Sequence, residues 1–288
     1  MEESVVVIAA LIAFAVSFVL TPVARFLSHR FGLLDKPTPR GSHSMPTPRI
    51  GGVAIFAGAA TAAIAAGAMR EPALARIALG VLAMATLGLA DDARNLHPGL
   101  KFIIQVAAAA AILFPFGLDP LLAFIALLWI VGVTNAFNFM DGINGIASLE
   151  AIICGATMGV LLLRAGDVPG AACCFAVAGA AAGFYPWNAF TGSIFMGDTG
   201  ALALGFFFGA MVVRGGAPRW LLALPLLPFL ADSGITLARR VVRRERIYEA
   251  HRTHFYQLLT NRGWSHVAVA LLWGAFAAAA SVVALCWK

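Results

Sequence analysis

Apolar stretches of membrane-crossing length follow one another along almost the whole chain, broken by short polar connections. A helix needs about 20 apolar residues to cross the hydrocarbon core of a bilayer. That ruler finds ten segments, at roughly 4–27, 50–69, 73–91, 100–117, 120–138, 146–164, 169–187, 196–213, 218–238 and 266–287. The connections alternate in length. Those at Arg70–Pro72, Leu118–Pro120, Arg164–Pro169 and Arg214–Arg219 are brief, whereas Ser28–Arg49, Asp91–Leu100, Asn135–Gly145, Tyr185–Phe195 and Arg239–Arg262 are longer and polar. The pattern predicts a single all-α, polytopic integral membrane domain over 1–288, with about ten transmembrane helices and no soluble second domain.

Composition agrees, with 61% hydrophobic and 12% charged residues and a mean hydropathy of +0.88. A soluble domain carries about twice that share of charge, and a disordered chain needs low hydrophobicity. The formal charge of +6 could by itself point to nucleic acid, but in a membrane protein the placement of charge matters more than its sum. Arg25, Arg30, Lys36, Arg40, Arg49, Arg94, Lys101, Arg239, Arg240, Arg243, Arg244, Arg246, Arg252 and Arg262 lie in or beside the longer connections, fourteen of the twenty Lys and Arg. The positive-inside rule therefore puts those loops in the cytoplasm and both termini outside. No basic residue precedes the first apolar segment, so it reads as a retained helix and not as a cleaved leader. The four cysteines sit in apolar runs without metal-type spacing, which argues against a disulfide framework. Three Gly-x-x-x-Gly pairs (Gly155/Gly159, Gly179/Gly183, Gly205/Gly209) predict close helix packing.

Acids at membrane depth are costly and mark function by default. Asp91, Asp92, Asp141, Asp198 and Asp232 all fall at the cytoplasmic ends of apolar segments. Capping explains one such acid well, but an adjacent pair plus three more at matching depth points to one site. Neighbouring carboxylates repel unless a cation neutralises them, and Mg²⁺ takes one or two carboxylates plus substrate phosphates. Lys101 offers a point charge to phosphate, with Gln105 one turn on. In Asn135-Ala136-Phe137-Asn138-Phe139-Met140-Asp141-Gly142, Asn138 and Asp141 share a face, and Asn135 joins them only if the helix bends. Phe195-Met196-Gly197-Asp198-Thr199-Gly200 opens a helix whose N-terminal N–H groups could meet phosphate. Arg239/Arg243 and Arg240/Arg244 form a basic stripe before His251, Arg252 and His254. Those two histidines lack further ligands for zinc, so with Arg252 they read as donors to a phosphate.

Taken in order, the Asp91-Asp92 pair, Lys101, the Asn-x-x-Asn-x-x-Asp-Gly segment, Phe-Met-Gly-Asp-x-Gly and the His-x-x-His loop closely resemble the polyprenyl-phosphate N-acetylhexosamine-1-phosphate transferases, of the glycosyltransferase family 4 type. The first loop adds Asp35-x-Pro37-x-x-Arg40-x-x-His43-x-x-Pro46-Thr47-Pro48-Arg49-x-Gly51-Gly52, and the likeness covers nearly the whole chain. The resemblance implies a prokaryotic inner-membrane enzyme with its active site facing the cytoplasm, Mg²⁺ or Mn²⁺ dependence and a homodimer. It implies a UDP-N-acetyl-sugar donor, undecaprenyl phosphate as acceptor, UMP as product, and no nucleic acid. It makes Asp198 the principal metal ligand, Asp91 and Asp92 the pair serving metal and lipid phosphate, with Asp92 as the second metal ligand, and Lys101 a lysine near the diphosphate. Asn138, Asp141 and Phe195 hold the uridine, and His251, Arg252 and His254 contact pyrophosphate and sugar.

Two departures from the pattern matter. The last loop lacks the run of three histidines of the pentapeptide-handling branch, and Asn144 stands where many members carry Asp. Ala-His-Arg-Thr-His-Phe-Tyr-Gln is most similar to the branch initiating O-antigen or capsule repeats, some members of which use 6-deoxy sugars. Ile247, Tyr248, Phe255 and Tyr256 are expected to give the donor an apolar wall. The alternatives are a GlcNAc-1-phosphate or phospho-MurNAc-pentapeptide transferase, and, from another class, a secondary transporter. A transporter would hold its carboxylates near the midplane of symmetric repeats, a pattern absent from the sequence.

Overall fold

A computed structural model describes residues 2–35, 45–215, 219–245 and 252–287. Twelve helices carry this part of the chain: α1 (Glu2–Phe31), α2 (Gly52–Ala65), α3 (Pro72–Arg94), α4 (Pro98–Leu113), α5 (Pro120–Met140), α6 (Ile146–Arg164), α7 (Val168–Tyr185), α8 (Gly197–Arg214), α9 (Arg219–Ala223), α10 (Leu227–Val242), α11 (Phe255–Asn261) and α12 (His266–Cys286). Two-residue strands, β1 (Leu34–Asp35) and β2 (Thr47–Pro48), pair antiparallel in the first loop. Each of the ten apolar segments contains a helix. Eight helical segments among the described residues are long and apolar enough to cross a membrane, which makes this a polytopic all-α membrane protein.

α2 and α8 are not among those eight, and two segments depart from a single unbroken helix. α2 ends after fourteen residues, because Gly67 turns left-handed (φ 71°) and a short 3₁₀ turn leads to Glu71 and Pro72, where α3 begins. The ninth segment is broken into α9, a 3₁₀ turn at Leu224–Leu226 and α10. Pro225 and Pro228 cause this, since neither can donate the backbone hydrogen bond a continuous helix needs.

α7 and α8 form the centre. α7 packs on α1, α2 and α6, and α8 on α3 and α5. Their sequences are rich in Gly and Ala, which lets backbones approach closely. A side chain at Gly179 would overlap the carbonyl of Ala10, and one at Gly155 would press on the carbonyl of Cys174, so the glycine pairs do pack helices. Cys154, Cys173 and Cys174 are buried free thiols, while Cys286 is exposed.

The acids divide by face. On one face they are helix caps: Glu71 accepts from Ala73 and Leu74 N–H at 3.1 and 2.9 Å, Asp119 from Leu121 N–H at 2.9 Å, and Asp167 from Gly170 N–H at 3.0 Å. Arg214 at the end of α8 ties two of them together, binding Glu71 at 3.2 Å and the carboxylate of Asp167. The opposite face gathers the remaining site residues.

Candidate active site

The site begins with a knot between α3 and α8. Asp92, only 4% exposed, accepts the Asp198 N–H on Oδ1 at 3.1 Å. Its Oδ2 accepts the Thr199 N–H at 3.0 Å and hydroxyl at 2.8 Å. No side chain of α8's own Met196 cap position satisfies those groups, so Asp92 caps the helix from outside. The N–H groups expected to meet phosphate are thus already bound to a carboxylate. Two glycines permit the contact. A side chain at Gly88 would strike the backbone of Asp198; Gly197 has φ +70° and would press a Cβ to 2.6 Å from Asp92 Oδ2.

Two further helices converge on Asp198. Lys101 Nζ of α4 lies 3.1 Å from its Oδ2 and 2.8 Å from Asp91 Oδ2. Asn138 of α5 donates Nδ2 to Asp198 Oδ1 at 2.8 Å. Asp91 is itself held by the Leu96 N–H at 2.6 Å, across a turn where Asn95 adopts φ 51°. Asn135 does not join this group. α5 stays helical to Met140, so Asn135 points to Gln105 Oε1 at 2.6 Å and to the Val131 carbonyl at 2.8 Å.

Asp92, Asn138, Asp141, Phe195, Asp198 and Arg252 line one polar cavity of about 300 Å³, together with Asp35, Arg49, Asn188, Gln257 and Thr260. Asp141 follows the last turn of α5. Its carboxyl is pushed well above the usual range, first by burial and then by the charges of Asp198 and Asp92. Asp91 and Lys101 stand behind Asp198 rather than on the cavity wall. Asp35 ends β1 and Arg49 follows β2; their charged groups stand 4.0 Å apart and both residues line the cavity. Asn188 braces the floor, accepting the Gly145 N–H at 2.8 Å and donating to the Ile194 carbonyl at 3.0 Å.

The last loop is held by Asp232 of α10. This carboxylate is 3% exposed and accepts the N–H groups of Phe255 at 2.9 Å and Tyr256 at 3.1 Å. His254 Nδ1 lies 3.1 Å from it, and the histidine is 2% exposed. His254 is therefore buried against Asp232, while Arg252, Gln257 and Thr260 reach the cavity. His251, Ile247 and Tyr248 lie outside the described residues. The expected apolar wall is not formed by the two aromatics that are described. Tyr256 is fully buried, its hydroxyl bonded to the Phe139 carbonyl at 3.0 Å, and Phe255 lies against the Arg239 guanidinium at 4.4 Å.

Sequence reading assigned no role to Arg49, Asp35, Asn188, Gln257 or Thr260. The first two stand in the loop pattern, which was the available signal. Asn188, Gln257 and Thr260 are single polar residues with no spacing to mark them. Asp232 stands among the acids of the apolar segments, but the groups it binds at the start of α11 lie more than twenty residues on.

The chemistry of the donor set fits a hard divalent cation. Asp92, Asp141 and Asp198 face one small cavity, and Asp198 is balanced only in part by Lys101. No cluster of three His, Cys, Asp or Glu in metal-binding geometry occurs among the described residues; Mg²⁺ is held by one or two carboxylates and completes its shell with water and phosphate. Both oxygens of Asp92 are engaged by α8, and those of Asp198 by Asn138 and Lys101; all three carboxylates line the cavity.

Comparison with known proteins places this architecture. Residues 74–216 match the family model described as glycosyl transferase family 4. The chain is 32% identical to the decaprenyl-phosphate N-acetylglucosaminephosphotransferase of Mycolicibacterium smegmatis, over 91% of this chain and 77% of that protein. It is 28% identical to the probable undecaprenyl-phosphate N-acetylglucosaminyl 1-phosphate transferase of Bacillus subtilis, over 91% and 79%. It is 27% identical to the phospho-N-acetylmuramoyl-pentapeptide-transferase of Clostridium beijerinckii, over 95% and 93%.

Proposed function

Because the chain belongs to glycosyl transferase family 4, among the polyprenyl-phosphate sugar-1-phosphate transferases, we propose that it moves an N-acetylhexosamine-1-phosphate from a UDP-sugar to undecaprenyl phosphate, releasing UMP at the cytoplasmic face. The observation that carries this reading is the cavity at one end of the bundle where Asp92, Asn138, Asp141, Asp198 and Arg252 meet. One substrate is anchored in lipid and the other is soluble, so the reaction must occur at a membrane edge. A transporter would need its acids near the midplane, whereas these stand at the ends of α3 and α5 and the start of α8.

The chemistry follows from charge. An oxygen of the lipid phosphate attacks the β-phosphorus of the UDP-sugar, a new P–O bond forms, and the bond to the α-phosphate oxygen breaks with its electron pair leaving on UMP. Both reactants are anionic, the lipid phosphate close to a dianion at neutral pH. Positive groups aimed at the phosphates therefore supply the larger part of catalysis. Among the described residues, Arg252 and Arg49 are the cationic side chains that line the cavity. Lys101 holds Asp91 and Asp198 in place and offsets their charge. A bound Mg²⁺ or Mn²⁺, held by Asp198 with Asp141 or Asp92, would neutralise phosphate oxygens. Phe195 and Asn138 line the same cavity, and a uracil would stack on the one and hydrogen-bond to the other. A phosphate dianion is a competent nucleophile without a base, so direct in-line attack suffices.

The test is UMP release by the detergent-purified protein with undecaprenyl phosphate and a panel of UDP-sugars. UDP-N-acetylglucosamine comes first, since the M. smegmatis and B. subtilis relatives are named for that sugar. 6-Deoxy-N-acetylhexosamine donors and UDP-MurNAc-pentapeptide follow, with lipid products read by mass spectrometry. Preferential formation of the pentapeptide lipid would move the protein to the other branch, and no product from any donor would sink the reading.

A further inference from the structure

A helix of seven residues such as α11 (Phe255–Asn261) does not fix its own orientation. Isolated helices shorter than about 12–15 residues are marginal in water. Yet Gln257 and Thr260, three apart and so on one face of α11, both line the polar cavity, together with Arg252 just before the helix. Contacts from other elements must set the angle at which these side chains reach the cavity. Two such pins are present. The Tyr256 hydroxyl donates to the Phe139 carbonyl at 3.0 Å and lies so close to Gly142 that a Cβ there would overlap it. This seats α11 against the turn that carries Asp141. The second pin is Asp232 on α10. Its Oδ1 accepts the Phe255 N–H at 2.9 Å and its Oδ2 the Tyr256 N–H at 3.1 Å, with His254 Nδ1 at 3.1 Å from Oδ1. The Thr236 hydroxyl, one turn further along α10, braces Oδ1 at 3.3 Å.

These bonds occupy both oxygens of a carboxylate that is only 3% exposed and stands outside the residues lining the cavity. Asp232 therefore acts through α11 and not by touching a substrate. The His254 N–H donates to Gln257 Oε1 at 3.3 Å, so the anchored turn also orients a cavity side chain. The Asp198 group takes its partners from α3, α4 and α5 instead. We infer that Asp232 is a positioning residue for the sugar-nucleotide donor: by capping α11 from α10, it holds Arg252 and Gln257 at the angle at which they meet the diphosphate and sugar. The inference rests on the transferase reading. An amide at this position would break the arrangement. Two N–H groups converge on the two oxygens, whereas an amide offers one acceptor and turns its NH2 toward the other N–H.

The test uses the full chain in detergent. Asp232→Asn should raise the donor KM about tenfold, with little change in kcat or in the KM for undecaprenyl phosphate. A variant that merely folds less completely loses active enzyme, which lowers the apparent kcat and leaves both KM values where they were. His254→Ala, which removes only the imidazole from Oδ1, should raise the donor KM about threefold. His254→Asn, whose amide nitrogen can take the place of Nδ1, should bring it back toward wild type. An unchanged donor KM in Asp232→Asn, or in His254→Ala where the first variant does not fold, overturns the assignment. Hydrogen–deuterium exchange without substrate reads the anchor directly. Peptides covering Phe255–Asn261 should exchange faster in Asp232→Asn, or in His254→Ala, than in wild type, while those covering Gly197–Arg214 do not change. Equal exchange of α11 in variant and wild type also overturns it. That exchange contrast in a protein whose wild type releases no UMP from any donor would reject the transferase reading and leave the anchor standing.

Discussion

Asp92 caps the helix that carries Asp198: its carboxylate accepts the N–H of Asp198 at 3.1 Å and of Thr199 at 3.0 Å, and the Thr199 hydroxyl at 2.8 Å. The adjacent acids of the Asp-Asp pair thereby do different work. Asp91 faces Lys101, and Asp92 sets the height and angle of α8 relative to α3. Losing Asp92 would leave buried donors unsatisfied, at about 1–3 kcal/mol. Asp92→Ala should therefore lower the Tm as well as activity, whereas Thr199→Val, which keeps the backbone bond, should cost about 1 kcal/mol and retain turnover. Thermal unfolding in detergent beside UMP release checks both. An Asp92→Ala protein that melts like wild type would show that α8 does not depend on this cap.

Asp198 receives Lys101 and Asn138 and still faces the cavity. Asp198→Asn should abolish transfer in a protein with wild-type Tm, because the amide can neither hold a divalent cation nor balance Lys101. Activity should also vanish in excess EDTA and return with Mg²⁺ or Mn²⁺. Undiminished turnover in EDTA would remove the cation from the reading.

Lys101 and Arg252 are expected to act differently despite equal charge. Arg252 lines the cavity, so Arg252→Ala should raise the donor KM and reduce kcat/KM tenfold or more, about 1.4 kcal/mol or above. Lys101 touches Asp91 and Asp198 instead, so Lys101→Ala should reduce kcat/KM by a similar factor mainly through kcat. Steady-state kinetics at varied donor concentration separates the two patterns.

Much of this was legible in the sequence. Ten apolar segments each contain a helix, because membrane length and hydropathy leave backbone groups no other way to be satisfied. The site's carboxylates were marked by their cost, since each of Asp91, Asp92, Asp141 and Asp198 interrupts or ends an apolar run. What was not legible depends on which way a side chain turns. Asn135 and Asn138 look alike in the sequence, yet only Asn138 faces Asp198. His254 reads as a phosphate donor beside Arg252, but Asp232 holds it buried through a contact twenty-two residues back. Tyr256 reads as an exposed aromatic, although Phe139 and Gly142 bury it. Arg49 lies in a loop whose pairing of Leu34 with Pro48 no local signal announces.

The opposite face gives the last prediction, which concerns stability rather than catalysis. Asp167 is partly buried, which by itself would raise its pKa. The Arg214 hydrogen bond, the Gly170 N–H and the Arg214 charge outweigh burial, and its carboxyl is held below the ordinary value of 3.8. A carboxylate whose pKa is lower when folded stabilises the fold above its unfolded pKa of about 3.9, and that contribution is lost as pH falls through the folded value. Bonds to charged groups are worth about 1.5–3 kcal/mol, and here they join the ends of α3, α7 and α8. Asp167→Asn should therefore melt below wild type at pH 7 with activity at the distant site retained. The gap between the two proteins should stay constant down to about pH 4 and narrow below it, as wild type loses what the variant never had. Other carboxylates titrate in both proteins and cancel in the difference. A gap independent of pH from 7 to 3 would show that Asp167 acts through its shape and not its charge.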